Sequence, residues 1–547
     1  MKKVTNKCLN NKLISLKSLF FNYLVHSFNN KSYLIGISYF FAFSGTKKSS
    51  IFSKNSKIKK TSVAVEIIQF KYYTFGTIIA LLGIIISNNS MATLSATTVK
   101  VIHGHEPYLT LDGGVTPITT LNELLSITLS DGSLISPEED NSSADKPIEL
   151  PNSINTFNRI QSVIPLPSAG NENYPSVSFD TLIAEPYHYW ADSDGDSDAK
   201  ASGELKVRWE NYKNVDITQQ VKANPNNALD PCEAPYKLTL SSTDVLLSTK
   251  YGDPKTSYFK GASHSYYIKP KIDVPLVCYA QPNLNNGKKE YAGPKEQWDP
   301  DNGFKVQSLK NASKNFPTTG ANNLSFKLIL TGMTAREMIA INSSTVKSVS
   351  GSGITLSLMA ENGALDSNIV LVTLKGPTKD SSNKTFKPSR FELYRDVKKN
   401  LLYQFKIDRW YIVKSGNTDM HYSNAISFCD SLSTLSQKYA VPAIQDYTNA
   451  NGHGWNLGAP GQGNTYQRRI SYFNEYTGKW VGGLFNEWGI IYDYSGTDWL
   501  FGDYWVIDTY QESNGEPIKR YNVYAQIGDV DFYFNQGNSD RVACVTW

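Results

Sequence analysis

The chain has 547 residues, of which 40% are hydrophobic, 19% charged and 12% aromatic. This length exceeds the roughly 250–300 residues at which one hydrophobic core stops growing, so we expect about three domains. The composition excludes a mainly disordered, collagen-like or polytopic membrane protein, and 33 Tyr and 24 Phe against 6 Met favour β-sheet over helical bundles.

Charge is distributed unevenly along the chain. Residues 1–71 hold thirteen Lys, no Arg and a single acid, Glu66, which gives them a net charge of +12. Since the whole chain carries +4, the remaining 476 residues carry −8. Nucleic-acid binding needs a basic face on the folded part of a protein, so this mildly acidic body argues against it.

Residues 1–96 are interpreted as a basic leader. An apolar run at residues 75–86 precedes small residues around Ala96, which is the layout of a secretion signal and its cleavage zone. The run is shorter than the roughly 20 residues of a spanning helix, but an uncleaved short anchor stays open as an alternative. A start at Met91, which would leave the export signal outside the translated chain, also stays open.

Four of the five cysteines lie in the body of the chain. They allow three pairings, and two of these link cysteines across the long separation between Cys278 and Cys429. We therefore predict the disulfides Cys232–Cys278 and Cys429–Cys544, each contributing roughly 3–5 kcal/mol in the loop-entropy model. No C-x-x-C occurs, which argues against a zinc ribbon or a thioredoxin-type site. Free buried thiols are the alternative if Met91 begins a cytosolic protein.

Residues 97–310 are predicted to form a β-rich domain of short strands between turn signals. The segments 236–241 and 265–269 have strand character, and residues 275–278 lead into a loop rich in Pro and Asn. His103 and His105 alternate as in a metal-binding strand, but no third ligand stands at a known spacing, so we interpret them as structural or surface residues.

An acidic motif in this domain predicts a Ca²⁺ site. Its four carboxylates stand at alternate positions: Asp192, Asp194, Asp196 and Asp198. Ca²⁺ takes six to eight oxygen ligands, and an unpaired cluster of carboxylates repels itself. The glycine position and the missing Glu at position 12 exclude an EF-hand, and a solvated acidic turn is the alternative interpretation.

Residues 311–414 are predicted to form an immunoglobulin-like β-sandwich. Between Leu324 and Leu330 the apolar residues alternate with a period of two, with one mismatch, and further strand patterns follow at 354–359, 369–374, 391–394 and 402–407. About five to seven strands in about 100 residues are typical of such sandwiches. The usual core disulfide is absent, so a generic two-sheet β domain stays open.

Residues 415–547 change character because helices are predicted there. Apolar residues from Ala425 to Leu435 recur at helical spacing after a capping Ser423 or Asn424, and a second short helix is predicted from Pro442 to Ala450. A cysteine in the first helix and another in a closing strand, with irregular aromatic loops between them, resemble the layout of an α+β C-type lectin-like domain. The predicted fold is thus mainly β, with tandem β-sandwich domains before this last domain.

The body of the chain resembles a family of enterobacterial adhesin domains found in intimin- and invasin-like surface proteins. Five motifs carry the resemblance, in order along the chain: VKVIHGHEPYLTLDGG (99–114), YHYWADSDGDSD (187–198), PCEAPYKLTLSSTDVLLSTKYGDP (231–254), NFPTTGANNLSF (315–326) and FNEWGIIYDYSGTDW (485–499). The resemblance implies an exported surface adhesin with β domains and a lectin-like tip. Relatives carry a transmembrane β-barrel, which the leader cannot supply, so we expect no outer-membrane anchor within this chain.

The last domain also holds the candidate receptor contacts, because Trp, Tyr and Arg are frequent interface hot spots. These are Trp455, Tyr466, Arg468, Trp480, Tyr494 and Trp499. Core packing is the alternative for many of them, above all for Glu487-Trp488-Gly489 and Tyr504-Trp505. The sugar motifs of Ca²⁺-dependent lectins are incomplete at Glu516-Pro517-Ile518 and at residues 534–540.

No catalytic motif occurs, whether G-x-S-x-G, H-E-x-x-H or a P-loop. We therefore expect a non-enzymatic adhesin, at the cell surface or secreted, that binds a protein or glycan of a host or neighbouring cell and needs no cofactor, Ca²⁺ excepted. A secreted glycan-binding module is the alternative, favoured if loop aromatics form an exposed stacking platform. A secreted hydrolase would require a pair of carboxylates in a deep cleft.

Overall fold

The structure is a computed structural model that describes residues 104–152, 155–167, 172–416, 419–511, 518–533 and 539–547. The predicted leader, His103, Glu516-Pro517 and residues 534–538 lie outside the described residues. In the described ranges, no helix has both the length and the apolar character needed to cross a bilayer.

Short strands make up most of the regular structure, so the prediction of a mainly β fold is confirmed, with 34% strand and 15% helix. The strands before residue 270 are β1 (Tyr108–Leu109), β2 (Ile127–Thr128), β3 (Leu134–Ile135), β4 (Ile148–Glu149), β5 (Ser176–Ser178), β6 (Trp190–Ala191), β7 (Lys200–Ala201), β8 (Glu204–Glu210), β9 (Tyr236–Ser242), β10 (Val245–Ser248), β11 (Thr256–Phe259) and β12 (Ser263–Lys269).

The strands after residue 270 are β13 (Leu276–Gln281), β14 (Trp298–Asp299), β15 (Gly303–Lys305), β16 (Thr319–Ala321), β17 (Ser325–Thr331), β18 (Thr345–Lys347), β19 (Ser350–Ser352), β20 (Thr355–Ala360), β21 (Ile369–Lys375), β22 (Lys387–Tyr394), β23 (Leu401–Ile407), β24 (Arg409–Val413), β25 (Tyr472–Asn474), β26 (Lys479–Val481), β27 (Asp503–Tyr510), β28 (Lys519–Tyr524), β29 (Val530–Tyr533) and β30 (Ala543–Thr546). The α-helices are α1 (Phe179–Ile183), α2 (Thr218–Ala223), α3 (Ala335–Asn342), α4 (Tyr422–Leu432), α5 (Ile444–Tyr447) and α6 (Leu484–Trp488).

Strand β17 shows how the sequence pattern becomes structure. Its side chains Phe326, Leu328 and Leu330 are buried, whereas Lys327 and Ile329 on the other face are partly exposed. Because successive side chains of a strand point to opposite faces, the period of two places one row in the core. The strand predicted from the alternation between Leu324 and Leu330 is therefore confirmed.

The N-terminal core consists of buried apolar side chains between Leu109 and Ile268. Its main sheet has five strands in the order β4-β12-β9-β8-β5, in which β12 and β4 are parallel and the other neighbours antiparallel. A smaller sheet, β11-β10-β7, and two strand pairs, β1-β6 and β2-β3, accompany it. Trp209 of β8 packs edge-on against Phe157 with ring centroids 5.1 Å apart, which fills the centre of this core.

The C-terminal core consists of buried apolar side chains between Val277 and Val545. Its largest sheet has the order β14-β15-β13-β17-β21-β20-β18. This sheet crosses the domain boundary predicted between residues 310 and 311, because β13 pairs with β17 on the other side of that boundary. The predicted boundary thus falls between strands of one core, and the break between the two cores lies between Ile268 and Val277.

Residues 311–414 and 415–547 contribute to the same C-terminal core. Strand β24 pairs in parallel with β16 and antiparallel with β30 in one three-stranded sheet, β16-β24-β30. The sheets β19-β22-β23, β25-β26 and β27-β28-β29 complete this half of the molecule. The predicted second and third domains are therefore interleaved through the short β16-β24-β30 sheet.

Both predicted disulfides are confirmed. Cys429 of α4 is bonded to Cys544 of β30, and Cys232 is bonded to Cys278 of β13. The second of these links the two cores covalently, because Cys232 follows the N-terminal sheet strand β8 and Cys278 lies in the C-terminal sheet. An ion pair between Lys213 Nζ and Asp299, at 2.7 Å, crosses the same junction.

The helices of the last section differ in their bounds from the predicted ones: α4 begins and ends three residues earlier, and α5 is shorter than the predicted helix from Pro442 to Ala450. Helix α4 ends at Leu432, and Leu435 is fully exposed instead of lying on the buried face. The hydroxyl of Ser433 ends the helix by donating to the carbonyl of Cys429 at 3.2 Å and accepting from the N–H of Tyr439 at 2.8 Å. The predicted cap is also wrong, since the N-cap of α4 is His421.

Candidate functional site

Four of the six predicted receptor contacts are buried. Trp455, Tyr466, Arg468 and Trp499 lie in the C-terminal core, so these four are packing residues rather than surface contacts. Few strands cross this part of the chain, and large aromatic side chains fill the space between its loops. Trp480 and Tyr494 are half-buried.

Arg468 connects segments that are far apart in the chain. Its guanidinium lies over the ring of Trp298, 4.4 Å from the centroid, and donates to the carbonyl oxygens of Asn283 at 2.8 Å and Glu487 at 3.1 Å. Burial lowers the pKa of Arg468 below its ordinary value, because desolvation disfavours the charged form. Tyr494 supports the same contact by accepting from the N–H of Asn283 at 2.7 Å.

Glu487 is a second buried ion, and five hydrogen bonds compensate for its burial. Its carboxylate accepts from the backbone N–H groups of Thr318, Thr319 and Ser471 at 2.9–3.0 Å. The hydroxyls of Thr318 and Thr319 also donate to it, at 2.6 and 2.7 Å. A buried carboxylate needs such donors in place of water. The predicted packing role of Glu487 and Trp488 is confirmed, since both are fully buried.

One β-hairpin of the last section carries two exposed aromatic residues close together in the chain. We define the aromatic hairpin as residues 472–481, which comprise β25, β26 and the turn between them. Phe473 is 50% exposed, and Tyr476 at the turn is completely exposed. Phe473 faces Trp480 across the strand pair, with ring centroids 5.8 Å apart. The hairpin thus presents an aromatic surface to solvent.

The turn of the aromatic hairpin follows from its sequence. The side-chain oxygen of Asn474 accepts from the N–H groups of Tyr476 at 3.0 Å and Thr477 at 3.3 Å, which is the usual way in which Asn stabilises a turn. Gly478 has φ +64°, a left-handed conformation that glycine adopts without strain. The turn therefore holds Tyr476 outward.

A buried arginine supports the hairpin from below. Arg409 of β24 is only 1% exposed, and its guanidinium lies 4.4 Å from the ring centroid of Trp480. It pairs with Asp446 Oδ1 at 2.9 Å and donates to the carbonyl oxygens of Gly482 at 2.8 Å and Gln445 at 3.2 Å. These contacts hold the guanidinium of Arg409 in place against Trp480, so the ring of Trp480 has little freedom to move.

A cavity of about 180 Å³ lies beside the aromatic hairpin. The residues that line it come from α5, from the loop 456–460 and from the hairpin: Gln445, Asn456, Leu457, Gly458, Pro460, Tyr472, Asn474, Thr477, Lys479, Trp480 and Val481. Opposed residues of a hairpin share a face, so Tyr472 with Val481 and Asn474 with Lys479 form one wall. Aromatic, amide and cationic groups therefore converge on one small space.

One polar atom at this cavity is unsatisfied. The side-chain oxygen of Gln445 is buried and has no hydrogen-bond partner among the described residues. A buried acceptor without a partner costs about 1–3 kcal/mol. This oxygen exposes almost no surface, so a molecule in the cavity does not reach it.

The loop that forms the opposite wall is fixed by the side chain of Asn451. Asn451 donates to the carbonyl oxygens of Ala459 at 3.1 Å and Gln462 at 2.8 Å, and its oxygen accepts from the N–H of Gly458 at 2.9 Å. A Cβ atom on Gly458 would lie 2.5 Å from the carbonyl oxygen of Asn449. Only glycine allows this close approach of the loop to the backbone after α5.

The predicted calcium ligands are not brought together. Asp192 accepts from the N–H of Asp194 at 2.8 Å, and Asp194 in turn bonds to the backbone N–H of His105 and lies 3.3 Å from its Nδ1. Within the described ranges, no three His, Cys, Asp or Glu side chains are arranged to hold a metal ion. The first two carboxylates thus bond to backbone and His105, and calcium binding at Asp192, Asp194, Asp196 and Asp198 stays a prediction.

Two larger grooves lie on either side of Phe157 in the N-terminal core, with volumes of about 350 and 410 Å³. The first is lined mainly by apolar side chains and the second by amides and carboxylates. In the second groove two polar pairs lie within the wall: Asn211 donates to Glu233 at 2.7 Å, and Asp230 accepts from the N–H of Cys232 at 2.9 Å. The smaller cavity is taken as the candidate site because residues of the aromatic hairpin form part of its wall.

The sequence predictions included Trp480 but missed its neighbours. Phe473, Tyr476 and Gln445 were not predicted, because their run was interpreted as irregular. Two short apolar runs separated by a four-residue segment ending in Gly478 are a hairpin signal that would have located them.

Comparison of the chain with protein-family models, with curated proteins and with solved structures finds no match.

Proposed function

We propose that this protein is a non-enzymatic, exported adhesin that binds a receptor on a host or neighbouring cell through the aromatic hairpin. The observation that carries the proposal is the outward position of Phe473 and Tyr476 on a hairpin whose base is fixed by Arg409. Exposed aromatic side chains on a rigid support bury much apolar area at little entropic cost when a partner binds.

The two disulfides support export. Structural disulfides form and persist in oxidising compartments, and they are rare in the cytosol. The basic leader with its apolar run at residues 75–86 agrees with this. Attachment to the bacterial surface or release from the cell are both compatible with the proposal.

We further propose that residues 415–547 have a C-type lectin-like arrangement and that residues 311–414 are related to immunoglobulin-like sandwiches. The bridge from α4 to the closing strand β30 supports the first assignment. The antiparallel strands β17, β20 and β21, together with the separate sheet β19-β22-β23, support the second.

Adhesion assays with hairpin variants test the proposal. The full chain, purified with its disulfides intact, is presented to cells and to arrays of extracellular matrix proteins. We expect Phe473→Ala with Tyr476→Ala to reduce binding at least tenfold, because the two side chains supply the exposed aromatic area of the hairpin. Tyr251→Ala is the matched control, since Tyr251 is 59% exposed in the N-terminal half.

Two results would overturn the proposal. One is a wild-type chain that binds none of these surfaces. The other is equal binding by the hairpin variant and the Tyr251→Ala control, which would place the contact elsewhere.

A glycan-binding module is the second candidate function, and the cavity beside the hairpin favours it. Sugars are recognised by aromatic rings together with groups that both donate and accept hydrogen bonds. Tyr472 and Trp480 provide such rings, and Gln445, Asn456 and Asn474 provide such amides. A glycan array probed with the full chain separates this function from protein binding.

A further inference from the structure

We propose that a basic corner of the C-terminal half attaches the protein to an anionic lipid surface. We define the basic corner as residues 384–387, 434–438 and 546–547. None of these residues belongs to the aromatic hairpin, so the attachment is a second contact beyond the proposed receptor contact.

Hydrogen bonds bring the three segments of the basic corner together. The buried side chain of Gln437 accepts from the N–H of Phe386 at 3.1 Å and donates to the hydroxyl of Thr546. That hydroxyl in turn donates to the carbonyl oxygen of Lys438 at 2.8 Å. Exposed side chains on the three segments therefore start from neighbouring positions and share one surface.

Three lysines of the basic corner carry charge that is not paired with a carboxylate. Lys387 and Lys438 are exposed, and within the part of the chain that the structure describes their side-chain nitrogens have neither an ion pair nor a hydrogen bond. The side-chain nitrogen of Lys384 donates to the carbonyl oxygen of Ser381 at 2.7 Å, which leaves its charge in place. The corner therefore presents three positive charges.

The stretch that supplies two of these lysines is positive within an acidic body. Residues 369–408 hold nine Lys and Arg against four Asp and Glu, which gives a net charge of +5. Since residues 72–547 carry −8, the rest of this body carries −13. Three of the four acids pair with other cations of the stretch: Asp380 with Lys379, Glu392 with Arg390 and Asp408 with Lys406. A local surplus of positive charge of this kind attracts an anionic surface.

Two exposed apolar side chains lie beside these lysines. Leu435 is completely exposed on the turn that backbone hydrogen bonds between Thr434 and Gln437 close. Trp547, which follows Thr546, is 66% exposed. At a bilayer surface an aliphatic side chain enters the boundary of the acyl chains, and Trp is favoured at the level of the headgroups. A soluble polysaccharide offers Leu435 no such apolar layer, so these side chains favour lipid as the partner.

Lysine footprinting on vesicles tests this attachment. The full chain is acetylated in the presence of vesicles of phosphatidylcholine, alone or mixed with phosphatidylglycerol, and its peptides are read by mass spectrometry. We expect acetylation of Lys384, Lys387 and Lys438 to slow roughly fivefold or more on the anionic vesicles only, because each lysine at such a surface gains about a factor of five in binding. The readout is local, so a contact made by the lysine-rich residues 1–71 does not reproduce it.

A triple variant tests the charge. We expect the loss of the three lysines to weaken binding to anionic vesicles roughly tenfold or more in a sedimentation assay; the changes are Lys384→Gln, Lys387→Gln and Lys438→Gln. The matched control makes the same change of net charge at exposed lysines of the N-terminal half and should leave binding within about twofold of wild type: Lys250→Gln, Lys255→Gln and Lys260→Gln.

A single variant tests the apolar contact. We expect Leu435→Ser to weaken binding to anionic vesicles roughly fivefold, because the serine side chain gains nothing from the acyl boundary. Val115→Ser is the matched control, since Val115 is 81% exposed in the N-terminal half. Circular dichroism of each variant establishes that the fold is intact.

Three outcomes would overturn the attachment: equal acetylation of the three lysines on neutral and anionic vesicles, equal loss of binding by the two triple variants, or unchanged vesicle binding by Leu435→Ser. If the last result came with tight binding of soluble dextran sulfate, the corner would be a site for an anionic polysaccharide instead. The receptor contact is tested separately by Phe473→Ala with Tyr476→Ala.

Discussion

At the scale of single residues, two buried ions each hold together segments that are distant in sequence. Arg409 connects β24 with α5 and the end of the aromatic hairpin, and Glu487 connects α6 with β16. Both ions are compensated by several polar partners. The removal of one partner leaves the others buried and unpaired, which costs more than the interaction itself contributes.

The first prediction concerns Glu487. We expect Glu487→Gln to lower the free energy of unfolding by about 3 kcal/mol, because an amide nitrogen replaces one oxygen and faces N–H or O–H donors. Urea denaturation followed by tryptophan fluorescence measures the change. Glu475→Gln, in the exposed turn of the hairpin, should change stability by less than about 0.5 kcal/mol. Equal effects of the two substitutions would contradict the role of Glu487.

The second prediction concerns Asp508, whose carboxylate accepts from the N–H of Ile444 at 2.7 Å. Burial raises the pKa of Asp508 above its ordinary value of 3.8. The folded protein therefore binds this proton more tightly than the unfolded chain does, and the contribution of Asp508 to stability falls as the pH rises above about 4.

Asp508→Asn keeps an acceptor for Ile444 and removes the titration. We expect the stability of the variant, relative to wild type, to increase as the pH is raised from 4 and to level off once wild-type Asp508 is ionised. Thermal unfolding between pH 4 and 7 measures this difference. A difference that is constant with pH would show that Asp508 has the same pKa in both states.

At the scale of elements, short loops in close contact replace long regular strands around the candidate site. The loop 456–460 depends on the absence of a side chain at Gly458. We expect Gly458→Ala to destabilise the protein by about 2 kcal/mol through overpacking and to weaken glycan binding. Gly463→Ala is the matched control, because nothing lies within 4 Å of a Cβ atom there. Unfolding midpoints and array binding are measured for both variants.

Local sequence patterns predicted individual strands, but they did not predict which strands pair with one another in a sheet. Strand β17 follows from alternation of apolar residues, and the cysteine pairing follows from separation along the chain. The pairing of β13 with β17 across the loops between residues 282 and 324 depends on packing between distant segments, which no local pattern records. The predicted boundary at residue 310 failed for this reason.

Only part of the candidate site could be predicted, because contacts between distant segments decide which of its aromatic residues are buried. The composition of the last section indicated an aromatic surface, but aromatic residues are equally suited to a core that has few strands. Burial of Tyr466 and Arg468 depends on the loop 283–298, which contacts them from another part of the chain. Trp480 is held at the site by its contact with the guanidinium of Arg409, a residue 71 positions earlier in the sequence.

At the scale of the whole molecule, the Cys232–Cys278 bridge and the Lys213–Asp299 ion pair connect the two cores. The bridge closes a loop with a sequence separation of 46 residues, for which the loop-entropy model gives about 4 kcal/mol. We expect Cys232→Ser with Cys278→Ser to lower the free energy of unfolding by about that amount and to make the segment 269–276 sensitive to proteases. Limited proteolysis followed by mass spectrometry detects this cleavage.

The Cys429→Ser with Cys544→Ser variant serves as the comparison. Its bridge lies within the C-terminal core, so its loss should destabilise that core, by about 5 kcal/mol for a separation of 115 residues, without exposing the segment 269–276. Identical cleavage patterns for the two double variants would contradict a special role of Cys232–Cys278 at the junction.

The position of β30 has a consequence for how the protein is made. Residues 543–546 are fully buried and pair with β24, and Cys544 is bonded to α4. A ribosome or an export channel delivers a chain from its amino end, so the C-terminal core stays open until these residues have emerged. Contacts between such distant parts of a chain form slowly. The β16-β24-β30 sheet and the Cys429–Cys544 bridge are therefore completed only after the last residues have been delivered, so oxidation of this bridge is a late step.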